Sequence, residues 1–71
     1  MSDELKYPWQ EYYQRAILEF DPRRRAERIA TAEAIIGARR QALIGNRSAS
    51  DEREALQDAL KGLRILRRNQ T

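Results

Sequence analysis

Two punctuation marks constrain this chain more than anything else in it: Asp21-Pro22 and Gly45-Asn46. Asp is a strong N-cap, because its carboxylate accepts the backbone N–H groups that a first helical turn leaves free. Proline costs nothing at the first helical position, where its missing N–H has no partner to lose. It also drives the residue before it out of α geometry, so a helix arriving from upstream should stop there. Glycine tolerates the left-handed conformation that commonly closes a helix. The spacing therefore predicts one long central helix over 22–44.

Two apolar patterns run along that helix. Ile29, Ile36 and Leu43 recur every seven residues as a seam of large side chains. Ala26, Ala30, Ala34, Ala38 and Ala42 recur every four as a ridge of small ones. The ridge admits two readings. Alanine is the best helix former, and a small-residue ridge also lets a neighbouring helix approach closely. Glu33 and Arg40 interrupt the seam. Either they flank it, with stems on apolar surface and charged heads in water, or they pair across an interface.

The flanking segments read as shorter helices. Over 8–20, Trp9, Tyr13, Ala16, Ile17 and Phe20 form an amphipathic stripe, with Leu18 on the opposite side. Met1 to Tyr7 are polar and expected to fray. Gly-Asn-Arg-Ser-Ala-Ser over 45–50 is an ordinary connection for an antiparallel helix pair. Ser50 or Asp51 should cap a third helix over 51–68, with Asp51 and Glu54 spaced as a capping box. Leu56, Ala59, Leu60, Leu63 and Leu66 make its apolar face, and Ile65 falls away from it. The fold expected is all-α: a coiled-coil-like antiparallel hairpin plus a short N-terminal helix, in a single domain over 1–71.

Length makes that fold thin. Seventy-one residues, 41% hydrophobic, include ten alanines and no valine. The large core candidates are Trp9, Tyr13, Ile17, Phe20, Ile29, Ile36, Leu43, Leu56, Leu60, Leu63 and Leu66. Burying each is worth about 1.5–3 kcal/mol, which conformational entropy nearly cancels in a chain of this size. There is no Cys for a disulfide, and no His to join a metal site. Self-association is the remaining common support. A closed homodimer with a four-helix core is expected, with Ala30, Ala34, Ile35, Ala38 and Ile65 as candidate contacts. In the alternative, a monomeric three-helix bundle, the first helix covers the central one alone.

Chemistry is weakly represented. Ser2, Ser48 and Ser50 have no evident base partner, and acid–base carboxylates need a cleft that tunes them. No enzyme, cofactor or metal is expected. The start lacks the basic and apolar run of a signal peptide, and no stretch has the length of a membrane span. A cytoplasmic protein with no membrane partner is expected.

One local rule is broken. Arg23, Arg24 and Arg25 crowd the first turn of the central helix, where cations oppose the dipole by about 0.3–1 kcal/mol each. The hairpin brings Arg28, Arg64, Arg67 and Arg68 toward the same pole. These seven residues are candidate anion contacts, for a phosphate or nucleic acid, unless Glu19, Asp21, Glu27 or solvent neutralises them. Twelve of fourteen basic residues are Arg, which suits bidentate contacts or simply records a GC-rich genome. The expected function is a non-catalytic protein-interaction or scaffold module presenting helical faces. The alternative is an anion- or nucleic-acid-binding protein.

The order Trp9-Gln10, Tyr13, Ala16, Glu19, Asp21-Pro22, Arg28-Ile29, Ala32-Glu33-Ala34-Ile35, Leu60, Leu63 and Leu66 resembles a group of short bacterial proteins of unknown function. The resemblance spans most of the chain. It implies a helical bacterial protein and no activity, ligand or site residue.

Overall fold

The computed structural model describes residues 6–69, and the fraying expected for residues 1–5 lies outside them. The described chain folds into three α-helices with no strand among the described residues: α1 (Gln10–Leu18), α2 (Pro22–Ala42) and α3 (Ser50–Arg68). A short 3-10 turn, Arg47–Ala49, leads into α3. All three helices pack on one another. No described helix is long and apolar enough to cross a membrane.

The punctuation of α2 works as its chemistry dictates. The Asp21 carboxylate accepts the Arg23 backbone N–H at 2.9 Å, and Pro22 opens the helix. Gly45 takes a φ of 86°, left-handed and cheap only without a Cβ. The helix stops at Ala42, two residues before the predicted end, and Leu43 to Gly45 turn away from it.

The cap of α3 differs from the expected one. Neither Ser50 nor Asp51 caps it, and no side-chain cap bonds to the backbone of its first turn. Asn46 does the capping upstream instead. Its side-chain oxygen accepts from the Ser48 N–H and hydroxyl, at 3.1 and 2.8 Å, and so starts the 3-10 turn that runs directly into the helix. A helix continued from an existing turn does not need a cap at its formal start.

The core is a single cluster. Ile29, Ala32, Ile36 and Leu43 come from α2, Leu56, Ala59 and Leu63 from α3, and Trp9 and Ala16 from the α1 region. Ile29, Ile36, Leu56 and Leu63 are fully enclosed by the chain's own helices. A second copy would therefore add to this core rather than complete it. The alanine ridge is not part of it: Ala26, Ala30, Ala34, Ala38 and Ala42 are all exposed, and the buried alanine of α2 is Ala32. Neither α1 nor α3 makes the close ridge contact. They sit on the side where Ile29 and Ile36 offer more apolar area per residue.

Two expected core residues of the first helix are outside. Phe20 is 91% exposed and Ile17 45%. The stripe required a helix through Phe20, but α1 ends at Leu18 and Glu19 is extended, with ψ of 126°. Past that point 100° per residue no longer sets direction. Ile17 fails for a different reason. The buried line of α1 runs through Trp9 and Ala16 with Tyr12 and Tyr13 half-buried beside it, which leaves Ile17 about 90° off centre.

Candidate functional site

Topology sets α1's end, α2's start and α3's end at one pole, and the candidate arginines there meet different fates. Arg25 turns back on the chain. Its Nε donates to the Glu19 carbonyl at 2.9 Å and its Nη2 to the Phe20 carbonyl at 3.3 Å. Arg28 donates to the Glu19 carboxylate at 2.7 Å. That bond, with one from the Asp21 N–H, holds the Glu19 carboxyl below the ordinary range against a smaller opposing push from burial. Arg67 reaches across to Glu33 on α2, so Glu33 pairs across a helix interface. Arg68 also has a partner. The guanidinium groups of Arg23 and Arg64 make no hydrogen bond or ion pair among the described residues, and Arg24 acts only through the charge it adds near Glu19.

Between α1 and α2 lies an open cleft of about 360 Å³, lined by Tyr12, Arg15, Arg24, Glu27, Arg28 and Thr31. Two of its three arginines already have carboxylates, Arg15 on Glu11 and Arg28 on Glu19. Arg15 also stands over the Tyr12 ring, 6.0 Å from its centroid, so Arg24, Glu27 and Thr31 remain as the lining groups outside these pairs. The cleft has the makings of a weak anion seat, diluted by Glu27.

The candidate self-association residues do not share one surface. Ala30, Ala34 and Ala38 lie on the exposed outer side of α2. Ile35 is half-buried and lines a second cleft with Pro8, Trp9, Tyr12 and Arg39. Ile65 is 53% exposed on α3.

At the opposite pole is a group that sequence reasoning passed over. Glu52, only 8% exposed, takes three hydrogen bonds from two other segments. The Trp9 indole N–H donates to its Oε2 at 3.0 Å. Arg39 donates from Nε to Oε2 at 2.8 Å and from Nη2 to Oε1 at 3.1 Å. Arg39, and to a lesser degree Trp9, holds the Glu52 carboxyl below its ordinary value, outweighing burial. The same pairing raises Arg39. This node ties the entry to α1, the last turn of α2 and the start of α3 together. Two signals pointed to it. Glu52 sits four residues before Leu56 on the apolar face of α3, and a buried indole N–H needs an acceptor.

A second tertiary detail also escaped the sequence pattern. Gly62 lies under the Tyr13 hydroxyl, so that a Cβ there would stand 2.5 Å from the oxygen. The described residues contain no cluster of His, Cys, Asp and Glu able to hold a metal ion.

No family model matches this chain, and neither the curated proteins nor the solved structures contain a match to it.

Proposed function

We propose that the chain is a small non-catalytic interaction module that works by presenting a helical face, and that the outer side of α2 is the face presented. One observation carries this reading. The longest helix buries only the side holding Ile29, Ala32 and Ile36, while Ala30, Ala34 and Ala38 line an exposed side that none of the described helices covers. Small side chains permit close backbone approach by another helix. A second copy is the simplest such helix, since closed pairs are the commonest oligomers, and a cytoplasmic homodimer is the form proposed.

Sedimentation velocity over a concentration series tests it, with Ala34→Glu as the variant. The wild type should self-associate at tens of micromolar, and Ala34→Glu should stay monomeric with unchanged helicity. A wild type that remains monomeric over that range overturns self-association. A pull-down from native lysate with wild type and Ala34→Glu baits then decides whether the face takes a different protein.

The cleft holding Arg24, Thr31 and Tyr12 favours a second reading, an anion or nucleic-acid contact. Titration against duplex DNA and RNA at two salt concentrations separates it from the first. Counterion release demands affinity that falls steeply with salt.

A further inference from the structure

The corner between α1 and α2 joins three properties that the interaction reading above does not use. The first is apolar protrusion. Phe20 is 91% exposed and Leu18 68%, at the outermost turn of the pole. The second is backbone satisfaction. The chain is extended at Glu19 and at Asp21, where carbonyls would ordinarily need water, yet Arg25 covers those of both Glu19 and Phe20. The Asp21 N–H is taken by the Glu19 carboxylate at 3.3 Å. The third is charge. Residues 15–28 and 61–69, which make up this pole, carry nine Lys and Arg against three Asp and Glu, and Glu11 and Glu33 from just outside these segments pair with Arg15 and Arg67, which leaves the pole basic by four.

We infer that this pole docks on an anionic lipid surface, with Phe20 and Leu18 entering the boundary between headgroups and acyl chains and Arg23 and Arg24 contacting lipid phosphates. A lipid surface fits better than a protein partner. A protein interface needs a well-packed apolar centre on roughly 800 Å² per side, and a single protruding ring among cations offers none. A headgroup layer deforms around a protrusion. It excludes backbone groups that lack hydrogen bonds, and this corner brings few of them. The arginine triplet, unfavourable to its own helix dipole, gains a use here, because each cation near an anionic leaflet strengthens binding about five-fold. The inference departs from the expectation of no membrane partner, which rested on the lack of a signal-peptide pattern and of a membrane-length span, neither of which bears on surface docking.

Co-sedimentation with phosphatidylcholine vesicles, with and without phosphatidylglycerol, tests it. The chain should bind the vesicles containing phosphatidylglycerol and not phosphatidylcholine alone. Phe20→Ala should weaken binding about ten-fold, in line with one lost apolar side chain, and Arg23→Gln and Arg24→Gln about five-fold each. Arg40→Gln and Arg47→Gln, on the other pole, should leave it unchanged. Phe20 and the guanidinium of Arg23 touch nothing that folding needs, and circular dichroism checks that each variant stays helical. Failure to bind anionic vesicles at low salt overturns the proposal. So does binding that Phe20→Ala does not weaken, since that is a bare polyanion contact, or binding that Arg40→Gln and Arg47→Gln weaken equally.

Discussion

The two poles use the same pair of residue types to opposite ends. At one, Glu52 and Arg39 are joined by Trp9, and the three come from segments 13 and 43 residues apart in sequence. At the other, Glu19 and Arg28 are nine residues apart, and Arg25 reaches five and six residues back. The first node closes a tertiary structure. The second braces a corner and leaves Phe20 outside. Exposed arginine–carboxylate pairs are screened by water and contribute little, whereas a buried pair offsets its desolvation only when further hydrogen bonds satisfy it, as Trp9 does for Glu52. A buried carboxylate stripped of its partners, or partners stripped of it, is far more expensive.

The largest expected effect comes from breaking the buried node. Glu52→Ala leaves the Trp9 N–H without an acceptor and Arg39 without its fork, and should destabilise the chain by about 2–3 kcal/mol. Glu19→Ala at the other pole should cost clearly less. Urea unfolding followed by circular dichroism ranks the two, and equal losses would erase the contrast between the poles. In a thin core a change of this size can unfold much of the population.

Next in size is a contrast between two glycines inside helices. Gly37 has open space where a Cβ would go, so Gly37→Ala should stabilise by up to about 1 kcal/mol through helix propensity. Gly62→Ala pushes its methyl into the Tyr13 hydroxyl. It should destabilise by about 1 kcal/mol, the propensity gain being outweighed by displacement of the ring. In a Tyr13→Phe background the oxygen is gone, and the same substitution should turn neutral or favourable. A double-mutant cycle reads this coupling directly. Additive effects would mean that the ring moves aside freely.

The smallest effect is in the pH profile. Glu52 and Glu19 both have carboxyls held below their ordinary value of 4.5 in the folded chain. A depressed carboxyl binds fewer protons folded than unfolded. Its stabilisation is therefore complete above the ordinary value and is lost as pH falls through that value and the lower folded one. Stability should drop below about pH 4.5, and Glu52→Gln should flatten more of that drop than Glu19→Gln. A profile that steepens in Glu52→Gln would reverse the assignment of sign.

Much of the fold was legible because helix starts, stops and faces are short-range properties. Asp21, Pro22 and Gly45 act on backbone groups within a turn of themselves, and each does in the structure what its chemistry requires. The seam of Ile29, Ile36 and Leu43 and the face of Leu56, Ala59, Leu60, Leu63 and Leu66 follow from period alone, and all are buried except Leu60 and Leu66, which are half-buried at its edge. The candidate arginines were legible as a set at one pole but not as individuals. Whether Arg67 meets Glu33 or solvent depends on the reach of two long side chains across a helix interface, which periodicity does not carry.

By itself, then, the order of residues determined three helices, their polarity and the faces that two of them bury, because capping, propensity and periodicity all act over a few neighbouring residues. Only the tertiary structure decided where α1 stops and which way it faces. Glu19, the residue that follows its last turn, is held by Arg25 and Arg28 from the next helix, and Tyr13 lies against a glycine 49 residues away on α3. It also decided that Glu52, an ordinary acidic residue in a first turn, becomes the buried acceptor joining all three segments. Hydrogen bonds between distant segments depend on packing that brings their donors within about 3 Å, and that packing is settled only when every helix is in place.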